Sequence, residues 1–440
     1  MKGVFYFYKK KNTLSIAALY EIFLHYPSIQ TDTRKLKSND IFFALKGPSF
    51  NGNEFAKQAL ESGAAYAVID DAQYAVNDKC ILVEDVLKAL QELALHHRKQ
   101  FNIPFVAITG SNGKTTTKEL VSAVLARKYK VYATEGNLNN HIGVPLTLLK
   151  IKREAQIAVI EMGANHLKEI ESYCMIALPT HGIITNCGKA HIEGFGCIEG
   201  VRKGKGELYD FLRLNKGIVF RNTDLEYLVD MAHDIDRQIT YGSRDADYIG
   251  AALMDDVLLK LVLQIDGNET IINTQLVGAY NFPNVMVAAA VGLHFGVSLE
   301  QVKQAIESYN PDNSRSQLIE KGSNKIILDA YNANPSSMSA AITNFANGNL
   351  PHKVLWIGGM KEMGEDEEKE HKDLVDLVAQ YSWDEVILVG NEFKGLENGY
   401  LWFDNSEAAA GYLQAHQPAN KSILIKGSRG SKMEVLLAAI

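Results

Sequence analysis

Cysteine is scarce in this chain of 440 residues: Cys80, Cys174, Cys187 and Cys197 are the only four. None forms the Cys-x-x-Cys pair used for structural zinc or thiol redox chemistry, so reduced thiols in a cytosol are expected and a disulfide scaffold is excluded. Proline is sparse too, at 10 residues, and no low-complexity linker or fixed-period repeat divides the sequence. No stretch approaches the roughly 18 apolar residues of a membrane span. The amino terminus, MKGVFYFYKKK, places a short apolar patch before its lysines, the reverse of a signal peptide. A basic surplus is also lacking: 45 Lys and Arg face 52 Asp and Glu, a formal charge of -7. Nucleic acid is therefore not an expected partner, because phosphate-backbone binding draws on the opposite balance. A cytoplasmic protein is the expectation.

What remains is a globular composition, 46% apolar and 22% charged, and a length that suggests about three domains at roughly 150 residues each. The rhythm of apolar runs predicts an α/β fold throughout. Residues 1–100 mix short strands such as Asp40–Leu45 with helical patterns, among them Phe55–Gly63, which ends on a glycine. Asn102-Ile103-Pro104 breaks that pattern, and 101–310 reads as a central domain with a parallel sheet. Its apolar runs, 105–109, 157–160, 182–185 and 217–220, are separated by helix-length stretches. Alternation over 257–265, then Asp266-Gly267-Asn268, predicts a local antiparallel hairpin. After Asn310-Pro311-Asp312 the runs at 326–328, 354–357, 386–389 and 423–425 predict a third, Rossmann-like α/β domain over 311–440.

The strand 105–109 leads into Gly110-Ser111-Asn112-Gly113-Lys114-Thr115-Thr116, then into a helix with Leu120, Val121, Val124 and Leu125 on one face. That order makes a P-loop. Gly110 and Gly113 let backbone N–H groups turn toward a polyphosphate, the helix N-terminus adds positive potential, Lys114 reaches the β- and γ-phosphates, and Thr115 can hold magnesium. The spacing is shorter than the common form, because Ile108 stands where a first glycine is usual. A glycine-rich turn beside a surface lysine is the competing reading, and the flanking strand and helix argue against it.

Glu161 closes the next apolar strand, at the sheet edge where ligands of open α/β sheets collect, and suits a nucleotide-bound magnesium or a solvated strand end. His191 lies beyond the strand ending near Asn186 and is either structural or a second cation's ligand. Asn137, Asn139 and Asn140 lie in a polar loop that either caps turns or binds a ligand. Lys205, within Arg202-Lys203-Gly204-Lys205, reads on composition as a solvated basic loop or helix start, and the acidic run Glu365–Lys372 as an exposed helix start.

Taken together these segments resemble the Mur ligases, ATP-dependent enzymes that extend the cytoplasmic peptidoglycan precursor. The resemblance rests on Thr31-Asp32-Thr33-Arg34 with Ala44-Leu45-Lys46-Gly47, the shortened P-loop, Gly136–Pro145, Glu161-Met162-Gly163-Ala164-Asn165, and His191–Gly196. Tyr331-Asn332-Ala333-Asn334-Pro335 and Lys426-Gly427-Ser428-Arg429 extend it into the last domain. It implies the branch that joins D-alanyl-D-alanine to UDP-N-acetylmuramoyl-tripeptide, with small-molecule substrates.

The resemblance implies a first domain holding the uridine end through Thr33, Arg34 and Lys46, and a mobile last domain closing over the nucleotide. It implies ATP and two magnesium ions as cofactors, with Thr115 and Glu161 on one ion, and His191 with a carbamylated Lys205 on the other. Asn281 resembles the adenine contact, Arg315 the phosphate-reaching arginine and Asp329 the ribose contact, while Tyr331, Asn332 and Asn334 belong to the dipeptide side. Tyr280 departs from the histidine usual in the family. Two alternatives remain: a related amide ligase of the folylpolyglutamate synthase type, which shares the P-loop but not the 137–145 and 331–335 segments, and a non-catalytic P-loop switch. A monomer is expected, since three α/β domains need no partner to bury a core.

Overall fold

The structure, a computed structural model, describes residues 14–253, 257–265, 267–311 and 315–440. The amino-terminal patch and the turn residues Asp266 and Asp312 lie outside the described residues. The chain divides into two compact units: 1–105 with 130–162 and 171–179, and 106–129 with 163–170 and 180–440.

In the first unit four parallel strands lie in the order Ile29–Gln30, Ile41–Phe43, Tyr66–Ile69, Cys80–Leu82. The predicted strand 40–45 shortens to Ile41–Phe43, because Leu45 takes part in the turn that receives Gly52 N–H. The predicted helix 55–63 is Ala56–Glu61, ended by Gly63 at a φ of +100°. Helix Val86–Arg98 starts on Asp85, whose carboxylate accepts Lys88 N–H at 2.8 Å. It ends on Arg98, which is buried. This guanidinium donates to the carbonyls of Ala177 (2.7 Å), Phe101 (2.9 Å) and Leu178 (2.9 Å) and lies 3.6 Å over the Phe105 ring. Burial lowers its pKa to about 10. Strands Val131–Ala133 and Ile157–Glu161 of this unit pair in parallel, and Glu161 at the end of the latter is buried.

In the second unit the strand 105–109 neighbours His181–Ile184, followed outward by Ile218–Asn222, Gln238–Gly242 and Tyr248–Leu253, all parallel. Beyond them Leu258–Ile265 and Asn268–Val277 run antiparallel, as the alternation of apolar residues predicts. Helix Lys114–Leu125 buries Leu120, Val121, Val124 and Leu125 completely. A six-stranded sheet forms the carboxyl-terminal part, in the order Gln317–Lys321, Asn324–Asp329, Ser422–Lys426, Lys353–Gly358, Glu385–Val389, Leu401–Phe403. Only its first strand is antiparallel. Trp356 at its centre is fully buried.

Replacing Arg98 by Met should lower stability by about 3 kcal/mol in urea unfolding, because three carbonyls lose their donor. Lys at the same position should not restore it, since one ammonium cannot span three acceptors.

Candidate active site

The glycine loop takes its shape from the segment that follows the adjacent strand. Ser111 N–H donates to Asn186 O at 2.9 Å, Asn112 N–H to Asn186 Oδ1 at 3.0 Å, and Ser111 Oγ to Gly188 O at 2.8 Å. Asn112 O accepts from Thr185 Oγ1 at 2.6 Å and from Asn186 Nδ2 at 3.1 Å. Gly110 has φ +143° and Gly113 +78°. A Cβ on Gly110 would collide with Thr185 Oγ1, and one on Gly113 with Asn284 Oδ1. Both glycines are therefore required by close approach as well as by conformation. Lys114 Nζ turns back onto its own loop, to Gly110 O at 2.6 Å and Ser111 O at 3.1 Å. Thr115 and Thr116 open the helix and are buried. Nothing in the sequence of Thr185, Asn186 or Asn284 marks them as the supports of this loop; their role exists only through the strand pairing.

Lys205 overturns the composition-based expectation of a solvated basic loop. It lies inside helix Ile198–Leu214 at 1% exposure. Its Nζ donates to Ala164 O at 2.8 Å and stands 5.1 Å from the Phe195 ring centre. That ring fits against the helix because Gly204 has no side chain to meet it. Burial, with the nearby Lys114 charge, lowers the Lys205 pKa to about 7, so the neutral amine is far more populated than for a lysine in water. Glu207, two residues on and also buried, accepts Lys168 N–H at 2.6 Å. His191 precedes the short helix Ile192–Phe195 with φ +54°, and its Nδ1 pairs with Glu362.

A seam of polar contacts joins the P-loop side to the carboxyl-terminal sheet domain. Asn334 Nδ2 donates to Asn112 Oδ1 at 2.7 Å while Asn334 Oδ1 caps helix Pro335–Asn347 by accepting Ser337 N–H at 2.9 Å. Lys189 N–H reaches Ser336 Oγ at 2.9 Å, and Lys189 Nζ reaches Glu370 at 2.7 Å. Glu370 and His371 are buried, which corrects the reading of 365–372 as an exposed helix start at those two positions; 365–369 and Lys372 are exposed. His371 Nε2 accepts Met360 N–H at 2.9 Å.

The other sequence-derived residues divide by unit. In the second, Asn281 is buried with both ends of its amide engaged: Nδ2 donates to Val277 O at 2.9 Å, and Oδ1 accepts Asn284 Nδ2 at 2.9 Å. Arg315 lies 3.7 Å over the Tyr331 ring, with Arg429 at 5.7 Å from the same ring. Asp329 accepts Lys426 Nζ at 2.5 Å and Ser316 N–H at 3.2 Å. Asn332 caps its own neighbour, accepting Ala333 N–H at 2.9 Å.

In the first unit Asn139 Nδ2 donates to Glu161 Oε1 at 2.7 Å. Asn140 Oδ1 accepts Ile142 N–H at 3.1 Å and Gly143 N–H at 2.8 Å, holding the turn that leads into helix Gly143–Leu149, and Asn137 O accepts Asn139 N–H at 2.8 Å. Thr33 and Arg34 form a short 3-10 turn on Asp32, whose carboxylate takes both Nε (2.9 Å) and Nη2 (2.8 Å) of the exposed Arg34. That grip lowers the Asp32 pKa to about 2. Lys46 Nζ pairs with Asp70 at 2.9 Å.

Among the described residues no three His, Cys, Asp or Glu side chains gather into a protein-only metal cage, and no helix is long and apolar enough to cross a membrane. The donor set nonetheless fits magnesium, which keeps waters, takes phosphate oxygens and needs only one or two protein donors. Glu161, a buried carboxylate, is a donor of the required kind, whereas the Lys205 amine offers no oxygen as it stands.

Three sequence profiles match the chain: "Mur ligase family, catalytic domain" over residues 25–98, "Mur ligase middle domain" over 108–292, and "Mur ligase, glutamate ligase domain" over 314–429. The UDP-N-acetylmuramoyl-tripeptide--D-alanyl-D-alanine ligase of Bacillus subtilis is 34% identical, across 97% of this chain and 95% of that protein. The crystal structure of MurF from Acinetobacter baumannii superposes with a TM-score of 0.85 at 31% identity, covering 93% of this chain and 92% of that one. MurF from Thermotoga maritima in complex with ADP gives 0.84 at 25% identity, with 94% and 96% covered. With profiles along its length and relatives that span it almost end to end, the chain belongs to the Mur ligase family.

Proposed function

We infer that the chain is an ATP-dependent ligase that joins D-alanyl-D-alanine to UDP-N-acetylmuramoyl-tripeptide, giving the pentapeptide precursor of peptidoglycan with ADP and phosphate. The observation that carries this is the near end-to-end likeness to ligases named for that reaction. A folylpolyglutamate-type ligase and a non-catalytic switch both lack that support. The small substrates and the peptidoglycan role agree with a cytoplasmic monomer, divided near residues 100 and 310 into uridine-binding, ATP-binding and closing domains.

The chemistry explains the residues. A carboxylate is a poor acyl donor at neutral pH, since an attacking amine would have to expel an oxide. Attack of a tripeptide carboxylate oxygen on the γ-phosphorus, with ADP leaving, gives an acyl phosphate. The dipeptide amine then attacks its carbonyl carbon, phosphate departs with the C–O bond, and the amine loses its proton. Lys114 neutralises repulsion between the γ-phosphoryl group and the incoming carboxylate, both anions in a low-dielectric cleft. Gly110, Ser111, Asn112, Gly113 and Thr116 shape the phosphate cradle, while Asn281, Arg315 and Asp329 serve the base, phosphate and ribose. Thr33, Arg34 and Lys46 face the uridine end, Asn137, Asn139 and Asn140 the muramoyl peptide, and Tyr331, Asn332 and Asn334 the dipeptide.

Thr115 and Glu161 are the proposed ligands of one magnesium ion, and His191 and Lys205 of a second. When bound, these ions supply charge neutralisation at the phosphoryl oxygens. Carbamylation of Lys205 requires a neutral amine to attack carbon dioxide, and its lowered pKa supports that. The carbamate is an anionic, bidentate oxygen donor, which the amine is not. Closing the last domain onto the loop excludes water from the acyl phosphate.

Purified protein with ATP and magnesium should release phosphate only when both UDP-N-acetylmuramoyl-tripeptide and D-alanyl-D-alanine are present, with the pentapeptide found by mass spectrometry; release independent of the dipeptide refutes the ligase reading. Lys114→Ala should lower kcat by at least about a hundredfold; near-normal turnover removes it from the phosphate site. Lys205→Ala should be inactive and regain measurable turnover with added formate or acetate. An undiminished variant excludes the carbamate.

A further inference from the structure

The short turn Ala279–Asn281 stands between two polar chains. One leads to the P-loop helix: Thr117 Oγ1 donates to Asn284 Oδ1 at 3.1 Å, Asn284 Nδ2 to Asn281 Oδ1 at 2.9 Å, and Asn281 Nδ2 to Val277 O at 2.9 Å. The other leads to the carboxyl-terminal sheet. Tyr280 OH lies 2.9 Å from Ser316 Oγ, Ser316 N–H donates to Asp329 Oδ1 at 3.2 Å, and Lys426 Nζ holds Asp329 Oδ2 at 2.5 Å.

Ser316 adopts φ +48°, in the left-handed region where a side chain carries a steric cost. Its two hydrogen bonds, one to each flanking domain, hold it there. The same backbone presents Arg315, stacked 3.7 Å over Tyr331. Ser316 is thus the point from which both Arg315 and Asp329 are aimed, and Tyr280 is its contact on the central sheet domain. A histidine, usual at this position in the family, carries a ring nitrogen but no hydroxyl beyond the ring.

We propose that Tyr280 is a positioning residue for nucleotide binding: its hydroxyl, acting through Ser316, fixes the Asp329 carboxylate in the orientation that receives the ribose hydroxyls. The proposal rests on the ATP-ligase reading and deepens it. Asp329 has one oxygen on an ammonium and the other on an amide, so its remaining lone pairs point in set directions. Without the Tyr280 hydroxyl the 315–316 backbone loses its tie to the central domain, and the carboxylate loses the amide that orients it. Burial and the Asp329 charge raise the Tyr280 pKa, so the phenol keeps its proton. The Tyr280 ring also lines a cavity of about 520 Å³ with Ala340, Asn344 and Leu350. Tyr280→Phe preserves that wall and removes only the hydroxyl.

Calorimetric titration of the full chain with ADP and with 2′,3′-dideoxy-ADP tests the proposal. The unaltered chain should prefer ADP. Tyr280→Phe should lose about tenfold in ADP affinity with little change for dideoxy-ADP, a hydrogen bond's worth of discrimination. Ser316→Ala should lose a similar factor, and the double variant no more than either single one. Equal weakening toward both nucleotides, an unchanged ADP affinity, or additive losses in the double variant would overturn it. A melting temperature within a few degrees of the parent separates ligand effects from misfolding, and an equally weakened, destabilised Tyr280→Phe marks a merely structural role. Failure of the unaltered chain to bind either nucleotide would instead defeat the ATP reading.

Discussion

A loop that cradles phosphate must expose its amides, and so cannot be held by the ladder bonds that hold a strand. Here the restraint comes from the side. Thr185, Asn186 and Gly188, just past the neighbouring strand, hold both faces of the 110–113 turn through backbone and amide hydrogen bonds. The remaining site geometry is referenced to that turn: the helix from Lys114, the Asn284–Asn281 chain behind it, and the Asn112–Asn334 pair in front. A shift of the 185–188 segment would move all three together. Register between two parallel strands therefore sets the position of the glycine loop.

Burial sets the protonation of Lys205. A lysine in water is almost wholly protonated and unreactive toward carbon dioxide, whereas desolvation inside helix Ile198–Leu214 brings its pKa to about 7. The fold reaches this by small means: glycine at 204 lets the Phe195 ring approach the helix closely, and one carbonyl, Ala164 O, receives the amine. A larger side chain at 204 would push the ring away and admit water. The environment of one nitrogen thus depends on the absence of a side chain beside it.

Much of this was legible in the sequence. The strand, glycine loop and helix of 105–125 were readable because each leaves a local mark: an apolar run, two glycines at fixed spacing, and apolar residues on a 3.6 period. The antiparallel addition at 258–277 was legible from its alternation. Edge strands Gln317–Lys321 and Leu401–Phe403 were not, because none of their residues is fully buried and polar side chains blur the apolar signal. Lys205 and Glu370 were misread for a shared reason: composition reports charge, and burial of a charge depends on partners distant in sequence. Asn140 shows the reverse case, a motif residue whose amide serves the turn into the helix that follows it.

The folded-back Lys114 has a consequence for what the loop accepts. Its ammonium is already satisfied by the carbonyls of Gly110 and Ser111. A ligand gains from this lysine only by drawing it off two neutral acceptors, which takes an oxygen of substantial negative charge. An uncharged ligand has none to offer. The resting contacts therefore set a threshold in ligand charge: an uncharged group leaves the lysine where it rests, and an anionic oxygen is what draws it off the two carbonyls.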